Sequence, residues 1–396
     1  NVNTYYTVNE QPFFAAELYR GEQLLAEAKD FTAYRMTGRV QKTRRFSFQR
    51  TFSEVYRLKA DAAYPELETQ EVPMNKLLPR YVSYPTLEPL AGSIIETGCV
   101  TLKPEGDFYR DRAYDGLDQV FYKGFYPEEL AEDAPKDIAR FAYVADKALS
   151  PTLPTMGYRI YDFSRTVTGF FSLTATVAEK ATLYILFDEV LTNGQVDPYR
   201  NSCCNIIQYT LSPGIHPLLS FEANSARFAT VVLAGGCGEV SDFGMRLYEN
   251  PDVRRPLPDC GDRELNAIME AAANTFAQNA VDILSDCPSR ERAGWLCDSY
   301  FSGRAEGFFT GDHRVEKSFL ENYALFTPKP WLADGMIPMC YPADHYNGRY
   351  IPNWSMWYIL ELRSYVERTG DREMQKLSEE KVRGLVEFFK KYENIL

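Results

Sequence analysis

Three carboxylates, two guanidinium groups and an indole fall within the run Ser285-Asp286-Cys287-Pro288-Ser289-Arg290-Glu291-Arg292-Ala293-Gly294-Trp295-Leu296-Cys297-Asp298. On a continuous helix, at roughly 100° per residue, Asp286, Glu291 and Asp298 would not share a face. Pro288 and Gly294 favour a folded loop instead, on which these acids can converge on one pocket. Such a pocket suits glycoside hydrolysis. A carboxylic acid must keep its proton near neutral pH to protonate a leaving oxygen, and neighbouring carboxylates plus an apolar wall raise its pKa. Asp286 and Asp298 could supply the charge and Trp295 the wall. Arg290 and Arg292 cut the other way, because a close guanidinium favours ionisation; one of them must point elsewhere or bind sugar hydroxyls. Taken alone, an Arg-Glu-Arg run is more often a solvated set of ion pairs than a site.

The elements that must hold this loop change character just before it. After Pro256-Leu257-Pro258, the residues Leu265, Ile268, Met269, Ala272, Phe276, Ala280 and Ile283 recur at three- and four-residue spacing behind Asp262, a candidate N-cap, and predict a long amphipathic helix. A second is expected after Asp312, with Val315, Phe319, Leu320, Tyr323 and Phe326 inward and a stop at Pro328 and Pro330. A third begins at Trp354 and ends at Gly370, and Val382, Leu385, Val386 and Phe389 stripe a fourth.

Upstream the pattern is that of strands. Arg45 to Phe52 and Ser172 to Val177 alternate, Leu183, Ile185 and Phe187 follow at period two, and Arg227 to Leu233 closes the series before Gly235-Gly236-Cys237-Gly238. Such segments are expected to bury one face. Asn193-Gly194 marks a turn, and the glycine cluster lacks the Lys-Ser/Thr of a phosphate loop. Between about residues 65 and 155, prolines such as Pro73, Pro79, Pro85, Pro89 and Pro104 punctuate short aromatic segments such as Phe121 to Tyr126, which reads as edge strands and extended connections.

A chain of 396 residues exceeds one ordinary core, so at least two domains are expected. The boundaries read as 1–64, a remnant β-sandwich; 65–155, the extended connection; 156–250, a β-sandwich; and 251–396, helices. A net charge of −12 argues against nucleic-acid and anionic-lipid partners, and no stretch approaches the ~20 apolar residues of a membrane span. The eight cysteines form no disulfide framework and are expected to be buried small hydrophobes, Cys203 and Cys204 within a strand. With three histidines, His216, His313 and His345, and no metal-binding motif, neither a metal site nor a cofactor is expected. The 27 Tyr and 25 Phe serve sugar stacking and sandwich cores equally well.

The run Asp286-Cys287-Pro288-Ser289-Arg290-Glu291, with Gly294-Trp295 and Asp298 following, resembles the motif of the α-L-rhamnosidases of glycoside hydrolase family 78 at every position. Tyr161 to Phe170 and Phe187 to Leu191 with Asn193-Gly194 look like the β-sandwich that precedes the barrel in that family, and Asp30 to Tyr34 and Phe52 to Tyr56 like parts of a more N-terminal jelly roll. The resemblance covers nearly the whole chain. It implies a bacterial protein of multidomain β plus α fold, with antiparallel β-sandwich domains followed by the first part of an (α/α)6 barrel. It further implies removal of terminal α-L-rhamnosyl groups from oligosaccharides, polysaccharides or glycosides with inversion. Glu291 matches the general acid, and Asp286, Arg290, Trp295 and Asp298 match residues that grip the sugar. Tyr350-Ile351-Pro352-Asn353-Trp354 is similar to another part of the pocket lining, where many relatives carry Asp in place of Asn353; Trp354 reads equally as helix core and sugar platform. Asp344 and His345 read as loop residues. The family's general base, a distant glutamate, is expected beyond Leu396, as are the helices that would close a toroid. The resemblance favours a periplasmic or extracellular location over a cytoplasmic one and leaves a homo-oligomer open. Two rivals stand beside it: another toroid glycosidase or polysaccharide lyase, and a carbohydrate-binding protein with a degenerate barrel.

Overall fold

The computed structural model describes residues 13–47, 50, 52–73, 77–106, 129–146, 152–328, 330, 332–342 and 351–393. The first half is strand-rich. A hairpin of β1 (Glu17–Arg20) and β2 (Gln23–Glu27) precedes β3 (Glu54–Leu58), β4 (Pro89–Ala91), β5 (Ser93–Leu102), the short α1 (Ala134–Ile138), β6 (Phe141–Ala145) and β7 (Thr152–Leu153). Then come β8 (Gly157–Val177), β9 (Ala181–Asp188), the small pair β10 (Leu191–Thr192) and β11 (Gln195–Val196), and β12 (Ile206–Leu211), β13 (Gly214–Leu219), β14 (Asn224–Ala234) and β15 (Gly238–Leu247).

The main strand order is β3-β12-β9-β14-β8-β15-β4, with β13 and β5 also on β8, β6 on β5 and β7 on β15. All of these pairings are antiparallel except β12 with β3, so residues 54–58 join the same sheet as the later strands. The 21 residues of β8 change neighbours along their length: β14 and β5 flank Gly157–Asp162, whereas β13 and β15 flank Thr174–Val177. Ser164, at φ +65°, lies where the neighbours change. β5 contains no proline and lies between β8 and β6; the expected segment Phe121 to Tyr126 lies outside the described residues.

Strand β9 corrects the expectation of one buried face. Leu183, Ile185 and Phe187 enter one core with Phe163, Phe171 and Phe243, while Tyr184 and Leu186 enter a second, covered by Ile138 of α1 and Phe141 of β6. A strand buried on both sides loses strict alternation. Arg45 to Phe52 is not one strand either: Arg45 and Phe52 face each other as an antiparallel bridge, so the chain reverses between them. Asn193 and Gly194, at φ +52° and +79°, make the expected tight turn between β10 and β11.

Among the described residues five helices follow: α2 (Arg263–Asn279), α3 (Asp298–Phe309), α4 (Arg314–Ala324), α5 (Pro352–Thr369) and α6 (Arg372–Lys390). Asp262 caps α2 by accepting the amides of Glu264 and Leu265, as expected. The stripe of α2 is only half used. Leu265 and Ile268 are 52% and 62% exposed and Ala272 is exposed, because packing begins at Ala273, where Asn274 and Gln278 donate to the Thr166 carbonyl of β8. Helix α3 has no counterpart in the apolar pattern. Its buried face is Ser299, Gly303, Glu306 and Phe309, and a Cβ at Gly303 or Gly307 would strike Glu316 at 2.6 Å or His313 at 2.7 Å. Helix α4 begins after His313, with Asp312 accepting the Arg314 amide, and buries the expected Val315, Phe319, Leu320 and Tyr323. Gly370, left-handed at φ +72°, ends α5 as expected. Among the described residues no helix is long and apolar enough to cross a membrane.

Cysteine burial is mixed. Cys203, Cys204 and Cys340 are buried, Cys287 and Cys297 half-buried, and Cys99, Cys237 and Cys260 exposed. Cys203 and Cys204 precede β12 rather than lying in a strand.

Candidate active site

The loop from Asp286 to Cys297 joins α2 to α3. It closes on itself: the Asp286 amide donates to the Ala293 carbonyl at 3.1 Å, and the Ala293 amide returns to the Asp286 carboxylate at 3.0 Å. The Glu291 amide meets Cys287 Sγ at 3.3 Å, and Arg292 takes a left-handed φ of +48° that turns its side chain away from its neighbours'.

Both halves of the chain grip this loop. From the strand half, the Ser47 hydroxyl donates to the Arg290 carbonyl and the Arg50 guanidinium to the Ser289 carbonyl, each at 2.7 Å. Arg50 is buried, lies 4.1 Å over the Phe46 ring and sits 3.9 Å from the Glu222 carboxylate. Arg292 donates back to the Pro288 carbonyl and across to the Ala223 carbonyl. From the helical half, the Tyr323 hydroxyl and the Tyr341 amide both reach the Gly294 carbonyl, at 2.9 and 3.0 Å, and the Leu296 amide reaches Met339. A Cβ on Gly294 would lie 2.2 Å from the Tyr341 carbonyl oxygen, so glycine is required by this approach.

Thus fixed, the loop brings the three acids together around Glu291. Glu291 is 8% exposed. Burial first, and then the Glu291 charge, push Asp286 up to about 6; the same two causes raise Asp298, opposed by a backbone hydrogen bond. The two arginines divide as the electrostatics required. Arg292 points into the joint between the halves, where burial and the neighbouring Arg50 lower its pKa, while Arg290 stays at the surface and pairs with Glu291 through Nε at 3.1 Å and Nη2. Trp295 is half-buried, bridges to Cys340 and packs with Ala293. Asn353 is exposed on the first turn of α5 and Trp354 packs partly into the helical core; neither hydrogen-bonds to the loop. The link between α3 and α5 runs instead through Ser299, whose hydroxyl donates to Glu361 at 2.7 Å, and through the Tyr300 and Trp357 rings, 5.0 Å apart. Asp344, His345 and Tyr350 lie outside the described residues.

Residues 258–395 match the family model of the bacterial alpha-L-rhamnosidase six-hairpin glycosidase domain. Over those residues the chain is similar to that family. The fold of the helical half and its strand-rich partner is also similar to solved structures. One is a family 78 rhamnosidase of Bacillus sp. GL1, 17% identical with a TM-score of 0.59, covering 70% of this chain and 31% of that one. Another is a rhamnosidase from Klebsiella oxytoca with rhamnose bound, 15% identical with a TM-score of 0.53, covering 76% of this chain and 57% of that one. The chain thus spans about a third and somewhat over half of their lengths. No curated protein matches it.

Sequence reasoning missed Ser47, Arg50, Ser299 and Glu361. Nothing local marks Arg50 as a clamp, because its target is 239 residues away. Glu361 carried a signal: an acid at an inward position of the stripe Tyr358, Leu362 and Tyr365. A second acidic group also escaped notice. Glu306, His313 and Glu316 bring ligand atoms within 4.8 Å of one another. Their oxygens are already engaged, since Glu306 accepts the amides of Val315 and Glu316 and Glu316 accepts Arg368 at 2.6 and 2.9 Å. They serve as a helix cap and an ion pair.

Proposed function

We propose that this chain hydrolyses terminal α-L-rhamnosyl groups of glycans or glycosides, with inversion and with Glu291 as general acid. The observation that carries this is the gathering of Asp286 and Glu291, on one closed loop clamped from both halves, with Asp298 at the start of α3, within the residues that match the rhamnosidase family model. We assign residues 156–250 to a β-sandwich, to whose sheet the upstream segments 1–64 and 65–155 add strands such as 54–58 and 93–102, and 251–396 to helices of an (α/α)6 barrel.

The chemistry follows from charge. Glu291 begins as the partner of Arg290. A sugar hydroxyl that draws the guanidinium away frees the Glu291 carboxyl to face the glycosidic oxygen. Glu291 gives its proton to the leaving oxygen. Asp286, Arg290, Trp295 and Asp298 hold the rhamnosyl ring, with Asn353 and Trp354 as a second wall. Inversion needs another carboxylate ~6.5–9.5 Å from the acid to activate water on the opposite face.

The test is to follow the intact protein with an aryl α-L-rhamnoside by proton NMR. First appearance of the β-anomer of free rhamnose supports the reading. Retention of the α-anomer contradicts the inverting course, binding without cleavage favours a carbohydrate-binding protein, and an unsaturated product absorbing in the ultraviolet favours a lyase.

A further inference from the structure

Glu361 lies in α5 with no solvent exposure, on the stripe where Tyr358, Leu362 and Tyr365 pack inward. One oxygen, Oε2, accepts the Ser299 hydroxyl at 2.7 Å; the other, Oε1, has no hydrogen-bond partner. Leucine would fill such a position without burying a polar group. Ser299 is itself buried, follows Asp298 directly, and its amide donates to the Trp295 carbonyl at 3.2 Å, so it joins the end of the loop to the first turn of α3.

We infer that Glu361 is a positioning residue: as a neutral acid it fixes Ser299, and through Ser299 the first turn of α3 and the direction of the Asp298 carboxylate toward Glu291. This rests on the proposed function for its catalytic consequence, but the joint itself is a property of the fold. The neighbours of Glu361 explain why it is neutral. Around it stand Cys297 ahead of α3, Glu316 and Tyr323 on α4, and Tyr358 and Arg368 on α5. Burial, the largest cause, and the Glu316 charge raise Glu361 to about 8, against the Ser299 hydrogen bond and the more distant Arg368. Above that pH a buried charge forms that the Ser299 hydroxyl alone hydrogen-bonds, and the cost of burying it favours opening of the joint to water.

The experiment compares wild type, Glu361→Gln and Glu361→Leu from pH 6 to 10, measuring kcat and KM on an aryl α-L-rhamnoside together with tryptophan fluorescence. Trp295 and Trp357 flank the joint, so its opening changes their emission. In wild type, kcat should fall and emission change together with a midpoint near 8. Glutamine keeps an acceptor for Ser299 and cannot ionise, so Glu361→Gln should keep KM and lose both alkaline transitions. Leucine cannot accept from Ser299, and kcat should drop about 100-fold. An unchanged alkaline limb in Glu361→Gln, or a wild-type kcat in Glu361→Leu, overturns the inference. If wild type cleaves no rhamnoside, the proposed function fails, and the fluorescence transition alone decides whether Glu361 holds the joint.

Discussion

Two acidic trios sit in the helical half, and they have opposite characters. Asp286 and Glu291 lie on a loop with Asp298 opening the helix that follows it; the Glu291 charge reaches both aspartates, and an exposed arginine is its cationic partner. Glu306, Glu316 and Glu361 are fully buried, and their partners are helix amides, Arg368 and a serine hydroxyl. Burial raises the pKa of members of both groups, to about 6 for Asp286 and about 7 for Glu306. A displaced pKa therefore does not by itself mark a reactive site. What separates the trios is access: a substrate can displace Arg290, whereas nothing outside can replace the amides that Glu306 holds.

The sharpest way to break this contrast is substitution at Glu291. Glu291→Gln should lower kcat on an alkyl rhamnoside roughly 10²- to 10⁴-fold with KM little changed, while Glu306→Gln should leave steady-state kinetics within about twofold. Next is the clamp. Arg50→Met leaves Glu222 without its buried partner and the Ser289 carbonyl without its donor, and should cost about 3 kcal/mol in urea unfolding as well as slowing the reaction. A purely helical site, independent of the strand half, would show no loss of rate.

The sealed trio should reveal itself through stability. The Glu306 carboxyl is raised in the folded chain from 4.5 to about 7, so the unfolded chain releases its proton first. Its stabilising contribution is complete below about pH 4.5 and is lost as pH rises to about 7. Unfolding measured across that window should show a decline that Glu306→Gln flattens. Smallest is a local change remote from both trios: Asp262→Ala removes the cap of α2 and should cost about 1 kcal/mol without touching kinetics.

Legibility in the sequence followed locality. The cap at Asp262, the stop at Gly370, the Asn193-Gly194 turn and the inward face of α4 are written in neighbouring residues and stand as expected. The acidic loop was also legible, because Pro288 and Gly294 interrupt a helix within the motif itself. Features created by tertiary contact were not. Helix α3 hides its buried face among Ser299, Gly303 and Glu306, with glycines demanded by side chains of α4 and its cap. Arg50 acts on a carbonyl far along the chain, and which arginine would leave Glu291 depended on the left-handed turn at Arg292.

The central claim is that Glu291, and not Asp286, gives the proton to the leaving group. Its most direct test is the rate of Glu291→Gln and Asp286→Asn on rhamnosides whose leaving groups range from dinitrophenolate to a simple alcohol. Glu291→Gln should approach wild type on dinitrophenolate, which departs without a proton, and fall steeply toward the alcohol, while Asp286→Asn loses rate evenly across the series. A steep dependence in Asp286→Asn with an even loss in Glu291→Gln would assign the proton to the other carboxyl.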